Sequence, residues 1–158
     1  MRDQTHLRLL RTYRRLPTWA RRRVVRTVSP SYTVGAMCFI EREDGRLLLV
    51  RHTYRRRWGV PGGLVKKGEE VADGARREVF EEVGLDVELA SEPRVVVEPD
   101  PQRVDVIFRA RPAAGADPDA AAPGSPEIVE ARWFDPNGLP ELQHETSAAF
   151  VALARADR

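Results

Sequence analysis

One stretch, Gly63 to Leu85, constrains this chain more than any other. It reads GLVKKGEEVADGARREVFEEVGL: a glycine-rich turn, a lysine pair, a glutamate, then Arg77-Glu78-Val79-Phe80-Glu81-Glu82 and a glycine. Each residue of an α-helix advances by about 100°, so Glu78 and Glu82, four apart, lie almost in line. Ala72, Ala75, Val79 and Val83 form an apolar stripe beside them, which predicts the buried face of a helix. Glu78 and Glu82 then sit on the shoulder of that face. Glu81 and Arg77 point further outward and are spaced to pair. Gly84 supplies the left-handed stop that a helix end favours.

Three carboxylates within one turn repel each other. A solvated acidic face with Arg–Glu pairs shows the same spacing, whereas a hard divalent cation, Mg²⁺ or Mn²⁺, turns the repulsion into binding. The wider pattern separates the two. The stretch resembles the Nudix box, G-x5-E-x7-R-E-U-x-E-E-x-G-U with U bulky and aliphatic, at every specified position: Gly63, Glu69, Arg77, Glu78, Val79, Glu81, Glu82, Gly84 and Leu85. The lead-in VRH…WGVPGG resembles the strand and turn that introduce this box, and the resemblance runs from about residue 31 to 156.

That resemblance implies an α/β fold, the Nudix-type α/β/α sandwich with a mixed β-sheet. It implies attack by water on a phosphorus of a nucleoside diphosphate linked to another moiety, with Mg²⁺ or Mn²⁺ as cofactor. Carried over position by position, Glu78 and Glu82 are the expected metal ligands, with Glu81 and the Gly63 carbonyl beside them, and Glu69 and Arg77 orient turn and helix. Family members place the general base differently. In the box it would be Glu78 or Glu81; outside it, Glu130 or Glu127, just before Trp133 and Phe134. Glu98, Asp100, Asp105, His144 and Glu145 also stay open. The box does not read the base or leaving group, so ADP-ribose and nucleotide sugars, nucleoside triphosphates including oxidised ones, and coenzyme-like dinucleotides all remain, with an ADP-ribose-like substrate preferred by analogy. The alternative is a non-catalytic nucleotide-binding or regulatory module on the same fold, whose mark would be a damaged box; this box is whole.

At 158 residues the chain can build one sizeable core, and it divides at about residue 30. Residues 1–30 carry nine arginines against Asp3, while the remainder carries 17 basic and 23 acidic residues. Leu9, Tyr13 and Leu16, then Val24, Val25 and Val28, recur at helical spacing, so this arm is expected to form one or two short helices broken near Leu16-Pro17. Packing on its own domain or on a second copy in a homodimer is the preferred role. An anionic membrane, with Trp19 at its surface, or nucleic acid are the alternatives. Arginine outnumbers lysine 24 to two throughout, a coding skew that weakens both alternatives.

The lone Cys38 lies in an apolar run, which fits a buried thiol in a reducing cytoplasm. No apolar run reaches the roughly 18–20 residues of a membrane span, and the N-terminus lacks the apolar core of a signal peptide. The expected protein is soluble and cytoplasmic. Residues 31–158 would form the Nudix domain. Tyr32–Ile40 and Arg46–His52 read as a hairpin about Asp44-Gly45. The basic aromatic loop that follows offers Tyr54, Arg55, Arg57 and Trp58 for phosphate and base contacts. Strands are expected at 86–90, 94–98, 104–110 and 127–134, a mobile Ala/Pro/Gly loop at 112–126, and a closing helix at about 146–156.

Overall fold

The computed structural model describes residues 13–14 and 16–156, in two compact units, one ending at Tyr32 and the other beginning at Thr33. In the first, helix α1 spans Thr18–Val28. Tyr13 and Arg14 are also helical, and the chain breaks at Leu16 and Pro17. Pro17 is extended, and its carbonyl accepts the first helical bonds from the Ala20 and Arg21 N–H groups. Trp19, Val24 and Val25 are exposed. The expected earlier turns around Leu9, and the side chain of Val28, lie outside the described residues.

The second unit runs β1 (Thr33–Ile40), β2 (Leu47–His52), β3 (Gly62–Leu64), α2 (Val71–Val83), β4 (Val87–Leu89), β5 (Arg94–Glu98), β6 (Arg103–Pro112), β7 (Ile128–Phe134) and α3 (His144–Ala156). In the mixed five-stranded sheet β1 lies between antiparallel β3 and parallel β6. The other edge of β6 carries β4 and β5 end to end, both antiparallel. β2 and β7 form a separate antiparallel pair. A sheet between helices is the sandwich that the sequence implies.

The alternation along β1 shows why the sheet needs two covers. Successive side chains of a strand point to opposite faces. Ala36, Cys38 and Ile40 join Ala75, Val79 and Val83 of α2 in one cluster, whereas Met37 and Phe39 join Ala149 and Leu153 of α3 in another. Both faces are therefore buried, and the strand reads as a continuous apolar run.

That double burial corrects the expected hairpin. The Asp44-Gly45 turn does form, with Arg42 N–H to Arg46 O at 3.0 Å and Gly45 N–H to Arg42 O at 2.9 Å. Beyond the single Glu41–Leu47 bridge, however, the strands part. β3 and β6 already occupy the edges of β1, so β2 crosses to pair with β7.

The 112–126 segment also differs from a free loop. It holds a short 3-10 turn at Pro118–Ala120. The Ala122 and Gly124 N–H groups bond the Val83 and Glu82 carbonyls at 3.2 and 2.8 Å. These are carbonyls of the last turn of α2, which have no partner within the helix. The Trp133 indole N–H bonds Pro118 O at 3.0 Å. The closing helix starts at His144, two residues earlier than expected.

Candidate active site

The box forms a turn and a helix whose parts hold one another. β3 brings Gly62 and Gly63 beside α2, and the helix ends at Gly84, left-handed at φ 68°. A Cβ on Gly63 would collide with the Glu78 carboxyl and displace it, so the glycine lets that carboxylate rest against the backbone. Arg77 is the hub. Its Nε and Nη2 donate to the two oxygens of Glu69 at 2.7 and 3.0 Å, and its Nη1 donates to Glu78 Oε1 at 2.7 Å and Glu81 Oε2 at 3.2 Å. The Lys66 N–H adds a bond to Glu69 Oε2 at 2.8 Å. With Arg77 bound first and this N–H second, the Glu69 carboxyl is held down at about 2. A bidentate guanidinium–carboxylate pair is among the more rigid polar contacts available, and here it joins the start of the turn to the middle of the helix.

Glu82 is turned further inward than the helical spacing alone suggests, at 6 % exposure. It accepts from the Gly62 N–H at 3.0 Å, and His52 Nε2 stands 3.4 Å from its other oxygen. Burial pushes its carboxyl above the usual carboxylate range, against the pull of His52 and the Gly62 N–H. The chain thus keeps an expensive ionisable group where an apolar one would pack.

These groups line a cleft of about 540 Å³, a size that suits a small-molecule ligand. One wall is the box, with Glu78, Glu81, Glu82, Arg77 and Lys66. The others come from the end of β2, the Tyr54–Arg55 loop, the start of β6 and of α3, and residues 125–127. Tyr54 is 65 % exposed, with the His52 ring 5.3 Å behind it. Arg55 Nη1 donates to Gln143 Oε1 at 2.9 Å and Glu145 Oε1 at 3.0 Å. Burial works to raise Glu145, but its own backbone N–H and Arg55 outweigh it and hold the carboxyl below the usual range.

The donor set suits a hard divalent cation: carboxylates and a main-chain carbonyl, one of the carboxylates buried and short of positive charge. Among the described residues no three acidic, imidazole or thiol side chains form a ready-made cage. Arg77 stands between Glu78 and Glu81, and His52 takes one oxygen of Glu82.

A family model of the NUDIX domain matches residues 31–154. The chain belongs to the Nudix family. Its enzyme class is accordingly that of a Nudix pyrophosphohydrolase. It is 31% identical over 122 residues to a MutT-like protein of Streptomyces ambofaciens, covering 77% of this chain and 76% of that protein. It is 31% identical over 118 residues to the 8-oxo-dGDP phosphatase of Danio rerio, covering 72% of this chain and 35% of that protein. The crystal structure of an ADP-ribose pyrophosphatase from Streptococcus suis matches with a TM-score of 0.61 at 31% identity, over 81% of this chain and 93% of that one.

Of the residues that the sequence singles out, the cleft gathers Gly63, Glu78, Glu81, Glu82, Arg77, Tyr54, Arg55, Glu127 and Glu145. Glu69 acts on it through Arg77. The remainder lie elsewhere. Trp58 packs edge-on against Phe134 at 4.8 Å, under Arg132, and Arg57 pairs with Glu141 at 2.6 Å. Glu130 lies between Arg51 at 2.6 Å and Arg132 at 3.2 Å, and Arg51 draws its carboxyl below the usual range. Glu98 is on β5, Asp100 is in the turn before β6, and His144 opens α3 with its side chain exposed. Asp105 is buried on β6 and bound by Arg103.

Further cleft residues that the sequence did not single out include His52, Arg103, Gln143 and Thr146. His52 is visible only as part of the lead-in. The others reach the cleft through tertiary contacts that no local pattern announces. Cys38 is buried against Ala75 O at 3.9 Å, and burial pushes its thiol up to about 12, so it is an inert core group.

Proposed function

We propose that this Nudix protein hydrolyses a pyrophosphate bond in a nucleoside diphosphate linked to another moiety, by water attack on phosphorus with Mg²⁺ or Mn²⁺ bound. The observation that carries the reading is the pair Glu78 and Glu82. One is seated against Gly63 and the other is buried on the Gly62 N–H, both facing one cleft. Glu78, Glu82 and the Gly63 carbonyl would hold the cation, with Glu81 beside them. When bound, it neutralises pyrophosphate oxygens and acidifies water.

The chain's own groups do the rest. Glu69 fixes Arg77, and Arg77 fixes the Glu78 and Glu81 carboxylates, so the acidic wall is set before substrate arrives. Glu81, half exposed, is the carboxylate in that wall most open to water, and we assign it the proton from the attacking water. Glu127, at the cleft rim, is the second candidate. Tyr54 offers an exposed ring on which a base can stack. The names of the relatives support two substrate types, an oxidised nucleotide and ADP-ribose.

The test is nucleoside monophosphate formation from a nucleotide panel with and without Mg²⁺ or Mn²⁺, followed by chromatography, wild type beside Glu82→Gln. Metal-dependent turnover that the variant loses supports the reading; metal-independent turnover, or none with any nucleotide, removes it. The exposed Trp19, Val24 and Val25 of α1 are read as a surface for a second copy. Among the described residues no helix is long and apolar enough to cross a membrane. Deleting residues 2–28 should turn a dimer into an active monomer, measured by light scattering.

A further inference from the structure

Arg103 stands at the start of β6, where its side chain lines the cleft from outside the box. Its Nε donates to both Asp105 oxygens at 2.8 and 2.9 Å. Asp105 is only 4 % exposed. Burying a carboxylate is costly unless it is well paired, and here the partner is one guanidinium whose side chain is 27 % exposed. β1 accommodates the pair with a glycine. Gly35 lies opposite Asp105 in the β1–β6 register, and a Cβ there would collide with Asp105 Oδ1 and stand 3.1 Å from Arg103 Nη2. Three positions on two strands thus serve to hold one guanidinium still.

Among the described residues neither Nη group of Arg103 has a hydrogen-bond acceptor, so that end of the fork is available to a ligand. Arg55 is held comparably by Gln143 and Glu145 in the same cleft, with its Nη2 left over. Neither cation belongs to α2. The cleft therefore has an acidic wall suited to cation and pyrophosphate, and elsewhere two immobilised guanidiniums that the acidic wall does not use.

A nucleotide sugar carries two phosphates, and beyond them neutral hydroxyls. A nucleoside triphosphate carries a third anionic group. Rigid guanidinium forks with open Nη groups match phosphate oxygens in geometry and charge, and are a poor match for a sugar hydroxyl that must also donate. We infer that Arg103, positioned by Asp105, forms with Arg55 a subsite for a phosphate beyond the scissile pyrophosphate, and that the substrate class is the nucleoside triphosphates. This rests on the hydrolase reading for its chemistry but not for its binding test.

The test is calorimetric binding of ATP and of ADP-ribose in metal-free buffer to the wild type, Arg103→Lys, Arg103→Gln and Asp105→Asn. Arg103→Gln/Asp105→Asn is added because it leaves no buried charge unpaired and so stays informative if Arg103→Gln fails to fold. The wild type should prefer ATP. Losing Arg103 should weaken ATP by roughly tenfold or more, the worth of a hydrogen bond to a charged group, and leave ADP-ribose within about twofold. Arg103→Lys should recover part of the loss. Asp105→Asn, which keeps the cation but loosens it, should give a smaller loss in the same direction. Equal losses on both ligands, or none on either, overturn the subsite. A shifted ATP to ADP-ribose ratio in a protein that hydrolyses nothing with Mg²⁺ or Mn²⁺ keeps the subsite and removes the hydrolase reading. Metal-dependent turnover with an unmoved ratio does the reverse.

Discussion

Two cavities of nearly equal size open on the Nudix domain. The cleft at the box measures about 540 Å³, and a second space between β1, β6 and the C-terminal half of α3 measures about 560 Å³. Both are lined by arginines and glutamates, so neither volume nor the presence of charge tells them apart. Burial and convergence do. In the cleft a carboxylate is buried, glycine gives way to another, and cations come from separate elements. In the second space the floor is Phe39, Leu47, Phe150 and Leu153. Its Arg42 pairs outward with Asp119 at 2.8 Å, and its Arg111 with Glu88 at 3.0 Å. Charge placed to pair at a surface contributes little. Charge kept inside at a cost points to chemistry.

The contrast can be broken from either side. Glu82→Gln keeps the shape and the acceptor for the Gly62 N–H but removes the charge. Turnover should fall roughly a thousandfold, about 4 kcal/mol of transition-state stabilisation. Because burial already disfavours the charged form, the melting temperature should stay level or rise. A variant that is inactive because it has unfolded would sink this reading of Glu82. Glu43→Gln, at the second cavity, should leave turnover within about twofold of wild type, as for most surface changes. Phe150→Ala should show the opposite pattern to Glu82→Gln. Phe150 packs on Phe39 at 5.7 Å and is half-buried, so its loss should cost about 2 kcal/mol. That is a melting point lower by about 4–8 °C, with kcat/KM unchanged. A turnover defect there, in protein that is still folded, would mean that the two cavities are coupled.

The same contrast explains what could be read from the chain. The box was legible because its function is local: Arg77, Glu78, Glu81 and Glu82 lie within two turns of one another on α2, and Glu69 sits in the turn just before it. The apolar stripe of α2 followed from periodicity, and the α/β class from the resemblance. The pairing of β1 did not, since a strand buried on both faces has the same apolar run as the buried arm of a hairpin. The loop at 54–58 presents the other limit. Composition offered Tyr54, Arg55, Arg57 and Trp58 alike, and only the fold turns the first pair into the cleft and the second pair onto Phe134 and Glu141. His52 and Gln143 meet across 91 residues, and no spacing rule reaches such a pair. Arg103 and Asp105 are two apart on β6, a spacing that puts both on one face, but nothing local shows that this face meets the cleft.

Within the box a smaller effect than that of Glu82→Gln should come from Glu69, which touches no substrate and acts only through Arg77. Glu69→Gln keeps one acceptor but loses the paired charge, so Arg77 should hold Glu78 and Glu81 less firmly. Turnover should fall about tenfold, the lower end of the effect of groups that orient ligands, with metal affinity falling alongside. The acid limb gives an independent check. The folded carboxyl is held at about 2, well below its ordinary value of 4.5. Its contribution to stability is thus complete above the unfolded value and is lost as pH falls from there toward 2. Glu69→Gln has no such proton to take up, so its melting temperature should drop less steeply than that of the wild type over that window. Parallel acid limbs would show that the Arg77–Glu69 pair adds nothing to the folded state. The orientation of the acidic wall would then have to come from Gly63 and the helix alone.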